Sequence, residues 1–284
     1  MFLPTHALVT AVAPGGPAPS RWMLVLHGIL GSGANFRGFA RRLAASAPGW
    51  GFVLVDLRMH GQSQGAPPPH TLAAAAADLR RLDEHLGLPI AGVMGHSFGG
   101  KVALAYTAAS GRALEQTWVL DASPGARPDR AGTTAAVLRM LRELPASLPS
   151  RERFVELVLG RGHPPALAEW LAMNVRRGDD GFRLRLDLDA VEALLHDYAA
   201  VDLWPVLERA EGARALHVVV AERSDAFDAA DRARLAEIAA RSPRVHPHLV
   251  AGAGHWVHVD APDALFALVA PALSSAPSSA LSSA

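Results

Sequence analysis

The residues Gly95-His96-Ser97-Phe98-Gly99 fit the pattern G-x-S-x-G, whose serine hydroxyl can attack a carbonyl carbon. Serine is a poor nucleophile at neutral pH and needs a base within hydrogen-bond reach. His255, in Gly252-Ala-Gly-His-Trp-Val-His258, is the candidate base. It lies on a glycine-rich loop after the last predicted strand and follows the serine in the chain. A carboxylate is then needed at the far imidazole nitrogen to fix the tautomer and stabilise the imidazolium. Two aspartates qualify: Asp121, in Trp118-Val-Leu-Asp121, and Asp225, in Val218-Val-Val-Ala-Glu-Arg-Ser-Asp225. Both follow predicted strands, and the one not used is expected to serve a loop hydrogen bond or a helix cap. The oxyanion of acyl transfer needs two fixed donors. Phe98 offers one backbone N–H, and Ile29, in His27-Gly28-Ile29-Leu30-Gly31, offers the other. Gly28 lets that backbone fold into the site, with His27 and Trp256 beside the substrate.

The remaining polar motifs read as scaffolding. Asp56-Leu-Arg-Met-His-Gly-Gln-Ser63 follows a strand, and Asp56 and Arg58 are expected to brace the loop next to the oxyanion donors. His96 is expected to pack beneath the serine turn, and His258 to be structural. Thirteen histidines invite a metal reading. The close pairs His246/His248 and His255/His258 lack carboxylates at ligand spacing, so no metal is expected. Gly28–Gly33 carries neither Lys-Ser/Thr nor G-x-G-x-x-G, so no nucleotide cofactor is expected either.

Such a serine works only on a sharp corner between strand and helix. Pro89–Met94 reads as a buried strand and Gly100–Ala109 as a helix, which supplies that corner. Further strands are predicted at Met23–His27, Phe52–Asp56, Thr117–Asp121, Leu216–Ala221 and Val245–Val250, with an edge strand within 8–13. Helices are predicted at Ala34–Ala45, Thr71–His85, Lys101–Ala109, Ala229–Arg241 and Pro262–Pro271. Apolar strands alternating with helices imply a mainly parallel, doubly wound sheet covered on both faces. From Gly125 to Glu211 no strand is predicted, while Arg130–Leu144, Ser150–Leu159, Pro165–Arg177 and Asp189–Leu195 look helical. This interval reads as a helical cap over the catalytic end. The expected organisation is a core of 1–124 and 212–273, a cap of 125–211, and a disordered tail of 274–284. Phe154, Trp170, Phe182, Tyr198 and Trp204 are candidates to shape an acyl pocket, Trp170 and Trp204 foremost. More than half of the five are expected only to hold the cap down.

Composition excludes several functions. Lys+Arg and Asp+Glu number 27 each, so no net field draws the chain to nucleic acid or an anionic membrane. There is no cysteine, which removes disulfides, thiolate metal sites and a cysteine nucleophile. No apolar run is long enough to span a bilayer, and Phe2–Ala13 lacks the basic n-region of a signal peptide. A cytoplasmic enzyme acting on a small molecule is the expectation, its oligomeric state left open.

Taken together, His27-Gly-Ile-Leu-Gly-Ser32, Asp56-Leu-Arg-Met-His-Gly-Gln-Ser63, Gly95-His-Ser-Phe-Gly-Gly-Lys-Val-Ala103, Asp121-Ala-Ser-Pro124 and Gly254-His-Trp-Val-His258 resemble the α/β-hydrolase superfamily. Within it the chain is similar to small bacterial acyl esterases and their eukaryotic abhydrolase-domain relatives. The resemblance implies an α/β-hydrolase fold and a cofactor-free serine carboxylesterase acting on short- to medium-chain acyl esters. It also tilts the choice of acid toward Asp121, because some members lack an acid at the place of Asp225. Thioester, lactone or C–C bond hydrolysis, or perhydrolysis, would use the same residues. A non-catalytic ligand binder on the same fold is the alternative of a different class.

Overall fold

A computed structural model describes residues 2–11, 16–127 and 132–274. Its centre is a seven-stranded sheet in the order β1-β3-β2-β4-β5-β8-β9. The strands are β1 (His6–Val9), β2 (Arg21–Leu26), β3 (Trp50–Val55), β4 (Ile90–His96), β5 (Leu114–Leu120), β8 (Ala213–Ala221) and β9 (Val245–Val250). β1 runs antiparallel to β3, and every other pairing is parallel. β2, β3 and β4 are apolar and almost wholly buried, as strands covered on both faces must be.

One face packs on α1 (Arg37–Ser46), α10 (Val257–Asp260) and α11 (Pro262–Ser274), around Phe36, Trp50, Phe52 and Trp118. The other packs on α2 (Leu72–Leu86), α3 (Phe98–Ala109) and α9 (Ala229–Arg241). α2 is delimited by its own sequence: the Thr71 hydroxyl accepts from Ala74 N–H, and Gly87 closes it at φ 60°.

The chain leaves β2 for β3 on one side and returns to β4 on the other. The strand order therefore reverses between β2 and β4, and a crevice opens beyond their carboxyl ends. The loops after β2 and β4 carry His27–Gly31 and Ser97, so the topology itself gathers these residues.

Between β5 and β8 lie α4 (Gly132–Arg142), α5 (Arg151–Leu159), α6 (Pro165–Ala172), α7 (Leu188–Ala200) and α8 (Trp204–Arg209). α4 to α7 contribute to a third apolar cluster, with Leu138, Phe154, Leu171 and Val191 buried in it, whereas α8 packs in the core on the α2–α3 side. The strand-free reading of this interval needs correction. The helix expected over Pro165–Arg177 stops at Ala172, and an antiparallel hairpin of β6 (Val175–Gly178) and β7 (Gly181–Leu184) follows. The signal was Gly178-Asp-Asp-Gly181, a two-residue turn flanked by glycines, the second at φ 125°. Residues 275–284 of the expected tail, 12–13 of the expected edge strand and 130–131 of the expected helix lie outside the described residues. Among the described residues, no helix is long and apolar enough to cross a membrane.

Candidate active site

Ser97 sits between β4 and α3 with φ 52° and ψ −118°, a conformation that costs a non-glycine residue about 1–3 kcal/mol. The flanking glycines make the corner possible. A Cβ on Gly95 would lie 1.9 Å from the Gly99 carbonyl oxygen, and one on Gly99 would lie 2.5 Å from that of His27. Helix α3 can thus begin immediately after the strand while its first turn presses against β2.

His255 Nε2 lies 3.0 Å from Ser97 Oγ, and its Nδ1 lies 2.8 Å from Asp121 Oδ2. Asp121 is fully buried, and its other oxygen accepts from the Ala221 N–H at 3.0 Å. That bond ties the carboxylate to β8, so its orientation is fixed before His255 arrives. Asp121 itself sits at φ 48°, a second bent strand end beside the first. Of the two candidate carboxylates, Asp121 is the one at His255 Nδ1. Asp225 is exposed in the loop after β8.

Phe98 is the first residue of α3, and the first N–H groups of a helix have no intrahelical partner. Facing it, the loop after β2 makes a tight turn closed by Gly31 N–H to the Gly28 carbonyl at 3.0 Å. Ile29 sits inside this turn, and its N–H takes no part in the closing bond. His27 was expected beside the substrate, and the structure corrects this. Its ring is fully buried; Nε2 accepts from Leu57 N–H at 3.0 Å and Nδ1 lies 2.7 Å from the Gly28 carbonyl. Both nitrogens are consumed by backbone, so His27 braces the loop. Burial pushes its pKa down to about 4, leaving the ring neutral.

A cavity of about 150 Å³ opens beside the serine corner, lined by Gly28, Phe36, His96, Trp170, Trp256 and His258, among others. Trp170 on α6 and Trp256 approach to 5.7 Å between ring centres, so the interposed segment supplies one wall. The remaining aromatic candidates fall elsewhere. Trp204 is buried in the core on the α2–α3 side, with the Arg234 guanidinium against its ring. Phe154 and Phe182 pack in the third cluster, and Tyr198 lies 6.0 Å from Phe98. His96 is buried beside the corner; it also lines the cavity, and its Nε2 lies 2.7 Å from the His255 carbonyl oxygen.

Several supporting residues carried no legible signal. Lys101 on α3 is buried, and its ammonium donates to the carbonyls of Gly125, Tyr198 and Val201 at 2.7, 2.7 and 2.8 Å. It thereby ties the serine helix to both ends of the interposed segment. Asn174, in the bend before β6, donates to the Leu30 carbonyl at 2.8 Å and steadies the strained Leu30, at φ 61°. Asp56 accepts from the Gly33 and Gln62 N–H groups, both at 2.8 Å, whereas Arg58 pairs with buried Asp78 at 2.7 Å. Among the described residues no group of three or more His, Cys, Asp or Glu is arranged to hold a metal ion.

Residues 21–155 match a family described as alpha/beta hydrolase fold. Over 253 residues the chain is 26% identical to the sn-1-specific diacylglycerol lipase ABHD11 of Xenopus tropicalis, covering 86% of this chain and 75% of that protein. It is 25% identical to the esterase YbfF of Escherichia coli, covering 86% of this chain and 89% of the other. A solved structure described as a marine microorganism esterase superposes with a TM-score of 0.80 at 22% identity, over 95% of this chain and 98% of that one. Sheet order, serine corner and similarity over most of the length converge: the chain has the α/β-hydrolase fold, and its residues 21–155 match that family.

Proposed function

We propose that the protein is a serine carboxylesterase that hydrolyses short- to medium-chain acyl esters through an acyl-enzyme. The observation that carries the reading is the continuous hydrogen-bonded path from Ser97 through His255 to buried Asp121. Ser97 Oγ attacks the ester carbonyl while His255 Nε2 takes its proton, and Asp121 stabilises the imidazolium. The N–H groups of Ile29 and Phe98 receive the oxyanion. The C–O bond then breaks, His255 returns the proton to the leaving alcohol, and the acyl group stays on Ser97. Water repeats the sequence, releasing the carboxylic acid and regenerating the serine. In the same reading residues 125–211 act as a cap over the site, between the core parts 1–124 and 212–273. No cofactor takes part in any step.

The test is hydrolysis of p-nitrophenyl esters from acetate to dodecanoate by the wild type and Ser97→Ala. Turnover peaking at one chain length and falling about 10⁶-fold in the variant is expected. A folded Ser97→Ala protein that kept its turnover would end the proposal.

A further inference from the structure

Acyl transfer at Ser97 needs His255 held at a fixed distance from it, yet the two residues lie 158 positions apart in the chain. The His255 ring bonds to Ser97 and Asp121, but the bond to Ser97 is broken and remade in every cycle as the proton moves. The loop that carries the base therefore needs a hold outside the triad.

That loop, after β9, is pinned at its shoulders. Gly252 N–H donates to the Glu222 carboxylate at 2.7 Å, Arg223 N–H to the Ala253 carbonyl at 2.9 Å, and Gly254 N–H to the Asp260 carboxylate at 3.0 Å. At His255 itself the backbone has, among the described residues, one hydrogen-bond partner. This is the ring of His96, whose Nε2 lies 2.7 Å from the His255 carbonyl oxygen. A carbonyl can only accept, so Nε2 carries the proton and Nδ1 is bare.

His96 is itself firmly set. It is the last residue of β4, directly before Ser97, and Ser97 N–H donates to the Leu120 carbonyl at 2.9 Å, one residue before Asp121. The buried ring is wedged between the loops of the site. A Cβ on Gly28 would come within 3.0 Å of its Nδ1, while the rings of His255 and His258 lie 4.8 and 4.9 Å away, centre to centre. Burial, with His255 and His258 close by, drives the His96 pKa well below its ordinary value. The ring thus stays neutral and sets no positive charge against the imidazolium that forms at His255.

We infer that His96 is a positioning residue for the reaction: its ring N–H, carried on the strand that ends in the nucleophile, holds the backbone of His255 and sets the distance between base and serine. The inference rests on the esterase function proposed for Ser97. It gives the residue before the serine a task that needs a donor at the reach of Nε2, which an apolar side chain of the same size lacks.

The experiment measures p-nitrophenyl butanoate hydrolysis by the wild type, Ser97→Ala, His96→Gln and His96→Met. Glutamine places an amide N–H at the reach of Nε2, and methionine matches its length without the donor. In His96→Met, kcat should fall about 10–100-fold while KM moves less than about twofold, because a misplaced base weakens the transition state and not substrate binding. His96→Gln should keep at least about ten times the kcat of His96→Met at a matched denaturation midpoint. Equal kcat in the two variants overturns the inference, as does a loss carried by KM. One further measurement needs no variant at all: long-range proton–nitrogen correlation on the wild type at neutral pH should show His96 as the neutral Nε2–H tautomer. The Nδ1–H tautomer or an imidazolium there also overturns the inference. If wild-type turnover depends on Ser97 while the two His96 variants behave alike, the esterase proposal survives that failure. Absence of Ser97-dependent turnover overturns both.

Discussion

Around Ser97 the chain is held by bent backbone and buried hydrogen bonds, whereas between β5 and β8 it is held by apolar packing and exposed ion pairs. In the first region Ser97 and Asp121 sit at φ 52° and φ 48°. Asp121 is anchored by Ala221, and His27 by Leu57 and Gly28. In the second, Leu138, Phe154, Leu171 and Val191 make the core, while pairs such as Arg153–Glu156 and Arg151–Glu169 lie at the surface. Directional bonds fix atoms to fractions of an ångström, which proton transfer requires. Apolar packing fixes volume and tolerates substitution of similar shape. The difference teaches that position is guarded at the strand ends and shape in the segment between β5 and β8.

The sharpest way to break this comparison is to remove a directional bond while keeping its shape. Asp121→Asn preserves the volume but removes the charge that faces His255 Nδ1 at 2.8 Å. A fall in kcat of about 10⁴-fold is expected, the cost of the wrong tautomer and an unsupported imidazolium. Asp225→Asn should stay within about threefold of wild type, because that carboxylate is exposed and Nδ1 is already engaged. Steady-state kinetics on one p-nitrophenyl ester decides it. If Asp225→Asn collapsed and Asp121→Asn did not, the acid would have to be reassigned.

The same contrast governs what could be read from sequence. The strands, the serine corner and the basic loop were legible because each is local: apolar runs, Gly95 and Gly99 about Ser97, glycines about His255. Gathering them needed only the reversal of strand order. The carboxylate facing His255 was legible only as a pair of candidates, since the placement of Asp121 depends on β8 offering the Ala221 N–H 100 residues away. His27 misled because its type suits a site, while its two backbone partners are visible only in three dimensions. The hairpin β6–β7 was written in the glycines about Asp179-Asp180 but lay within a helix-like apolar pattern. Lys101 and Asn174 were out of reach, because both serve carbonyls distant in sequence.

A second test works on packing. Phe154 is buried in the third cluster, remote in type and partners from the hydrogen bonds of Ser97. Phe154→Ala should destabilise the protein by about 3–5 kcal/mol through lost transfer energy and a residual cavity, read as a shift in the denaturation midpoint. On a small ester kcat should change less than about threefold, the loss falling on KM as the wall carrying Trp170 loosens. A kcat loss as deep as that of Asp121→Asn would show that the two regions are not held separately.

Acid should act on the first region before the second. His27 and His60 are buried at the strand ends with pKa values pushed by burial to about 4 and about 3, and burial likewise drives His96 well down. In the unfolded chain each returns to about 6.5. Between pH 6.5 and about 4 the unfolded chain binds protons that the folded one refuses, so stability falls as the pH drops through that window. At pH 6 each histidine costs about 0.8 kcal/mol relative to high pH, the three together about 2–3 kcal/mol, and His217 and His258, held by burial at about 3 and about 4, bring the total to about 4 kcal/mol. Denaturant titrations at pH 7.5 and pH 6 should record that loss. Hydrogen exchange should show the loops after β2 and β4 opening more readily, with α5 and α6 changing less. Equal stability at the two pH values would mean that these rings take up protons in the fold.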